Sequence, residues 1–136
     1  MAEHKLVFDQ ILGALFSAIP ELWRRIADAF GDDYDLETEL PEAYPIFEDV
    51  VKRVLFELLE GGRNEPLLRR LFHFFEAMAT TEDGYVPDLL RIAIIEPLVA
   101  RPDSVRRAWH YMGRQTKELA KSEAVSQGGS ADVPFN

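Results

Sequence analysis

Apolar residues recur along most of this chain at intervals of three and four, the spacing that lines one face of an α-helix. Across residues 67–78 they occupy positions 67, 68, 71, 72, 74, 75 and 78, and across residues 105–112 positions 105, 108, 109 and 112. No stretch bounded by turn residues alternates apolar with polar side chains as a half-buried strand does. The pattern predicts an all-α fold of about six or seven helices.

Punctuation residues place the ends of those helices. A first helix is expected over residues 3–16, and a second from near Pro20, whose fixed φ suits a first turn, to Phe30 before Gly31. A third begins at Pro45, runs through IFEDVVKRVLFELLE and stops at Gly61 and Gly62, either of which can take the left-handed cap conformation. Asn64 is placed to cap a fourth, with Glu65 and Pro66 in its first turn and an end near Ala79. After the turn TTEDG, Pro87 opens a fifth, which Pro97 should kink or end because proline lacks an N–H and crowds the preceding turn. A sixth starts at Arg101, Pro102 and Asp103 and closes at Gly113, and the polar stretch GRQTKELAKSEAV makes the last.

Two of these segments repeat a spelling. LRRLFHF at residues 68–74 returns as VRRAWHY at 105–111, and VVKRVLFELL at 50–59 matches LLRIAIIEPL at 89–98. In each copy the helical stripe is apolar, Leu68, Leu71, Phe72 and Phe75 in one and Val105, Ala108, Trp109 and Met112 in the other, while the arginines and histidine point away. Leu67, Phe74 and Met78 add a second flank to the first copy, which predicts a central helix touched from two sides. Helix pairs near 40 residues long resemble the unit of HEAT or armadillo-like solenoids, so the expected architecture is a short HEAT-like solenoid or a compact bundle. Residues 1–125 are read as one helical domain and residues 126–136, polar and glycine-rich, as a flexible tail.

Composition narrows the chemistry. The chain has 136 residues, 47% hydrophobic and 29% charged, and no cysteine, which excludes a disulfide framework, a thiol nucleophile and cysteine-ligated metal, and fits a cytoplasmic protein. No run reaches the roughly 18 uncharged residues needed to cross a bilayer. No nucleophile elbow or phosphate-binding loop is present, and DDYDLETELPE lacks the central glycine of a calcium loop. His73 and Glu76, three apart, can in principle supply metal ligands, but Arg70 and Arg107 stand where a helical di-iron site needs glutamates. The expectation is therefore no metal, no cofactor and no catalytic residue. The pairs Arg24/Arg25, Arg69/Arg70 and Arg106/Arg107 could form a basic ridge, yet a net charge of −9 opposes nucleic-acid binding, and such arginines more often pair with neighbouring carboxylates.

The distribution of charge says more than its total. Residues 1–60 hold 14 acids and 5 bases while the remainder holds 10 of each, and residues 28–49 contain nine acids and no base. Such a field attracts a basic partner and repels phosphate and anionic lipid. Asp32, Asp33, Tyr34, Asp35, Glu37, Glu39, Glu42 and Tyr44 are the candidate partner-binding residues, with Phe47 a further aromatic anchor.

The stretches PELWRRIADAFGDD, LPEAYPIFEDVVKRVL and YMGRQTKELAKS, within residues 19–122, resemble an uncharacterised bacterial family of short, acidic, all-helical proteins. The resemblance implies a bacterial cytosolic protein, some of whose relatives are encoded beside polymorphic toxins as immunity proteins; it implies no catalytic residue. The expected function is a non-enzymatic protein-binding module whose acidic half neutralises a basic toxin. The competing expectation is a small-molecule site or enzyme with a pocket lined by Phe72, Phe75, Trp109 and Tyr111.

Overall fold

The computed structural model describes residues 6–31, 42–62 and 64–129, and every regular element among them is helical. A 3₁₀ turn, Phe8–Gln10, leads into α1 (Ile11–Ala18), followed by α2 (Leu22–Phe30). Next come α3 (Ala43–Ile46), a π-helical stretch Phe47–Val51 and α4 (Lys52–Gly61), which run on as one rod. The long helix α5 (Glu65–Thr80) precedes a second rod made of α6 (Tyr85–Leu90), a π-helical stretch Arg91–Ile95 and α7 (Glu96–Val99). The described chain closes with α8 (Pro102–Ala108), a 3₁₀ turn Trp109–Tyr111 and α9 (Arg114–Ser126). The architecture is an all-α bundle.

The centre of the bundle is α5, as its two apolar flanks predict. It buries Leu67, Leu68, Leu71, Phe72, Phe74, Phe75 and Met78 and touches α1, α4, α6, α9 and the Trp109–Tyr111 turn. Full burial of each such side chain contributes about 1.5–3 kcal/mol. Its start is fixed by Asn64, whose side-chain oxygen accepts from the Leu67 amide at 3.3 Å while its backbone sits at φ 55°. Gly62, at φ 62°, ends the preceding rod in the left-handed conformation that a side chain would strain.

One expectation changes and another is narrowed. The expected start at residue 3 lies outside the described residues, and among those described the first helical turn begins at Phe8, because long-range bonds hold Leu6 and Val7 out of the helix: the Thr81 hydroxyl donates to the Leu6 carbonyl at 2.7 Å, and the Phe8 amide donates to Asp83 Oδ2 at 2.8 Å. Pro97 does not end its rod. The turn ahead of it widens, with the Glu96 amide reaching back five residues to the Arg91 carbonyl, so the bond that proline cannot make is lost where the ladder is already re-spaced. The first rod widens likewise, Lys52 donating to Phe47, and the two π stretches meet in the core, one burying Phe47, Val50 and Val51 and the other Ala93, Ile94 and Ile95.

The last helix is polar in sequence yet packed on α5, α7 and the second π stretch, burying Thr116, Ala120, Glu123 and Ala124. Its amino terminus is capped from another helix. The Glu76 carboxylate accepts from the amides of Gln115 (3.0 Å) and Thr116 (2.9 Å) and from the Thr116 hydroxyl (2.9 Å). Gly113, at the cap position, lies so close that an added Cβ would overlap that carboxyl.

Candidate functional site

The acidic stretch of residues 28–49 is described at its two ends. Asp32, Asp33, Tyr34, Asp35, Glu37 and Glu39, six of the candidate partner-binding residues, lie outside the described residues. Glu42 is exposed on extended backbone immediately before α3. Tyr44 is half-buried, its ring 6.1 Å from that of Phe8, and with Glu42, Asp9 and Leu12 it borders a hollow of about 470 Å³. Phe47, expected as a third anchor, is fully buried in the first π stretch, where its face of the rod turns to the core. It is a core residue and not a contact residue.

The fold brings the ends of this stretch together. Asp28 on α2 and Asp49 on the first π stretch border one hollow with Arg25 and Arg53, and Glu48 and Asp49 border a neighbouring one with Glu57, Glu60 and Arg101. Packing of α2 on the π stretch produces this meeting, with Leu22 and Ile26 buried on one side and Phe47, Val50 and Val51 on the other. Among the described residues, ion pairs engage Glu21, Glu57, Glu65, Asp88, Asp103, Glu118 and Glu123, whereas Glu42, Glu48 and Asp49 make no ion pair and no side-chain hydrogen bond, as is also true of Asp9, Glu60, Glu82 and Glu96.

The paired arginines are largely spoken for by carboxylates. Arg25 meets Glu57 at 2.8 Å, Arg69 meets Glu65 at 2.6 Å, Arg106 meets Asp103 at 3.2 Å, and Arg70 bonds Glu21 through both terminal nitrogens. Hydrogen bonding to Arg70 holds the Glu21 carboxyl below the usual glutamate range, and the same bonds raise Arg70; bonding to Glu57 raises Arg25. Each pair is exposed and worth at most about 1 kcal/mol.

The remaining candidates resolve as architecture. Glu76, considered beside His73 as a ligand, is occupied by the start of α9, and no group of three or more His, Asp or Glu side chains gathers among the described residues. His73 and His110 are exposed, and the His110 ring lies 4.1 Å from that of Tyr111. Of the four rings expected to line a ligand pocket, Phe72 meets Phe75 edge to face at 5.3 Å and stacks on Tyr111 at 6.1 Å, Lys117 and Lys121 cover Trp109, and Tyr111 alone borders a hollow, of about 330 Å³, with Arg107 and His110. Sequence reading missed Glu76 as a cap because its partners lie about 40 residues downstream. The clue available was the absence of a capping side chain at Gly113.

Among the described residues no helix is long and apolar enough to cross a membrane. A family model described as "Domain of unknown function (DUF7674)" matches residues 12–127. Neither the curated proteins nor the solved structures give a match.

Proposed function

The chain belongs to the DUF7674 family of domains of unknown function, and from that premise we propose that it is a non-enzymatic helical binding module whose acidic front receives a basic protein. The observation that carries this reading is the run of nine acids and no base over residues 28–49, of which Glu42, Glu48 and Asp49 make no ion pair and Asp28 and Asp49 border one hollow. Unpaired surface acids in one field raise the rate of encounter with a basic surface and select against acidic ones. Tyr44, half-buried against Phe8, supplies apolar area at the edge of that field. Within this reading, the resemblance of the sequence to immunity-like bacterial proteins supports a basic toxin in the same cytoplasm as the partner.

Co-expression with the product of an adjacent reading frame, followed by titration of the purified pair, tests the proposal. The expected result is a Kd that weakens steeply with salt and by at least tenfold when Asp32, Asp33, Asp35 and Glu37 are replaced by lysine, with a further loss for Glu48→Lys and Asp49→Lys. Reversal of Glu118, which faces Lys121 on α9, should leave it unchanged. Indifference of the Kd to the front reversals would remove the electrostatic reading.

A further inference from the structure

A groove of about 700 Å³ separates α1 from α5, a volume within the roughly 300–1,000 Å³ of small-molecule sites. From α1 it receives Ala14, Ser17 and Ala18, positions i, i+3 and i+4 on one helical face, and side chains that small leave the space between the helices unfilled. From α5 it receives Phe74 and Ala77 as apolar floor, with Leu6 adding to it. The ionisable residues on its described lining are Arg69, Arg70 and His73; no carboxylate is among them, in a chain whose net charge is −9. An apolar trough edged with guanidinium groups is complementary to one kind of ligand: an aliphatic body ending in a single negative charge.

We propose that this groove binds a small amphiphilic carboxylate, its chain lying along Ala14, Ala18, Phe74 and Ala77 and its head group held by Arg69 and Arg70. Both arginines already hold carboxylates of this chain, Glu65 and Glu21, but these pairs sit in solvent, their side chains between 44% and 63% exposed. An exposed pair contributes at most about 1 kcal/mol, so a carboxylate anchored by its apolar chain competes for the same donors. The internal acids then act as placeholders, and removing them should help the ligand. The site shares no residue with the acidic front, so its failure would leave the proposal for that surface standing.

Sub-micellar decanoate is the probe, titrated into the full chain with backbone amide shifts and calorimetry as readouts. Saturable shifts are expected at residues 14–18 and 69–77, with decyltrimethylammonium, the same chain with opposite charge, binding at least tenfold more weakly. Ala18→Trp, at an exposed position on α1, should fill the trough and weaken decanoate at least tenfold. The double change Arg69→Gln and Arg70→Gln should weaken it about fivefold or more. Glu21→Gln and Glu65→Gln, which lie off the described lining, should tighten it two- to fivefold, a gain that general loosening of the fold would not give. The proposal is overturned by the absence of saturable shifts up to millimolar decanoate, by shifts centred elsewhere, by equal binding of the cationic amphiphile, or by tightening in neither glutamate variant.

Discussion

Glu76 and Gly113 form a pair in which each residue makes sense only through the other. A carboxylate accepting three hydrogen bonds at the start of α9 satisfies donors that the helix itself leaves unpaired and sits at the positive end of its dipole. Replacing Glu76 by alanine should lower stability by about 1–2 kcal/mol in urea denaturation. Gly113→Ala should cost about 1–3 kcal/mol, because the new methyl group displaces the carboxyl. In the Glu76→Ala background the same change should cost less, since the atoms it would strike are gone and φ −76° suits alanine. A double-mutant cycle with no coupling between the two would refute this account. Glu21 gives a residue-scale prediction in pH. Its carboxyl is held below its usual range, so the folded state binds the proton less readily and the pair with Arg70 stabilises at neutral pH. That contribution fades as pH falls below the ordinary glutamate value of 4.5 and through the lowered one. Denaturation midpoints of wild type and Glu21→Gln should differ slightly at pH 7 and converge at pH 3.

At the scale of elements, helix starts and faces were legible because they follow from local chemistry. Asn64 as a cap, Gly62 as a left-handed stop and the buried stripe of Leu68, Leu71, Phe72 and Phe75 all stand where spacing and turn residues put them. Asn64→Ala should therefore cost about 2 kcal/mol, roughly half from the lost bond to the Leu67 amide and half from alanine at positive φ, whereas Asn64→Gly should cost only the first part. Features that depend on distant partners were not legible. The extended start before α1 exists because Thr81 and Asp83 claim its backbone, and the π stretch before Pro97 because a continuous rod has to pass a residue without a donor. Glu123 belongs with them: six per cent exposed on a helix that looks solvated, it faces Arg91 at 3.8 Å across the contact between α9 and the second π stretch. Arg91→Met should destabilise by about 1–3 kcal/mol by leaving that carboxylate buried without a cation, and adding Glu123→Gln should restore part of the loss.

At the scale of the whole molecule, charge and shape divide the work. Nine acids without a base in residues 28–49 give the chain a one-sided field, in which Glu42, Glu48 and Asp49 make no ion pair. Self-repulsion of that kind is relieved by counter-ions, so raising NaCl from about 10 to about 150 mM should raise Tm by a few degrees, and the lysine reversals at positions 32, 33, 35 and 37 should flatten the response. The candidate site was thus legible in composition but only partly in geometry: sequence could count the carboxylates, but it could not show that Asp28 and Asp49 would meet or that Phe47 would turn inward. The borrowed cap of α9 bears on the order in which the chain is made. Because residue 76 leaves the ribosome long before residue 113, the final helix is always made after the carboxylate that caps it. A circular permutant opening at Arg114 would reverse that schedule, and its leading segment should stay unwound until synthesis reaches the glutamate that starts it.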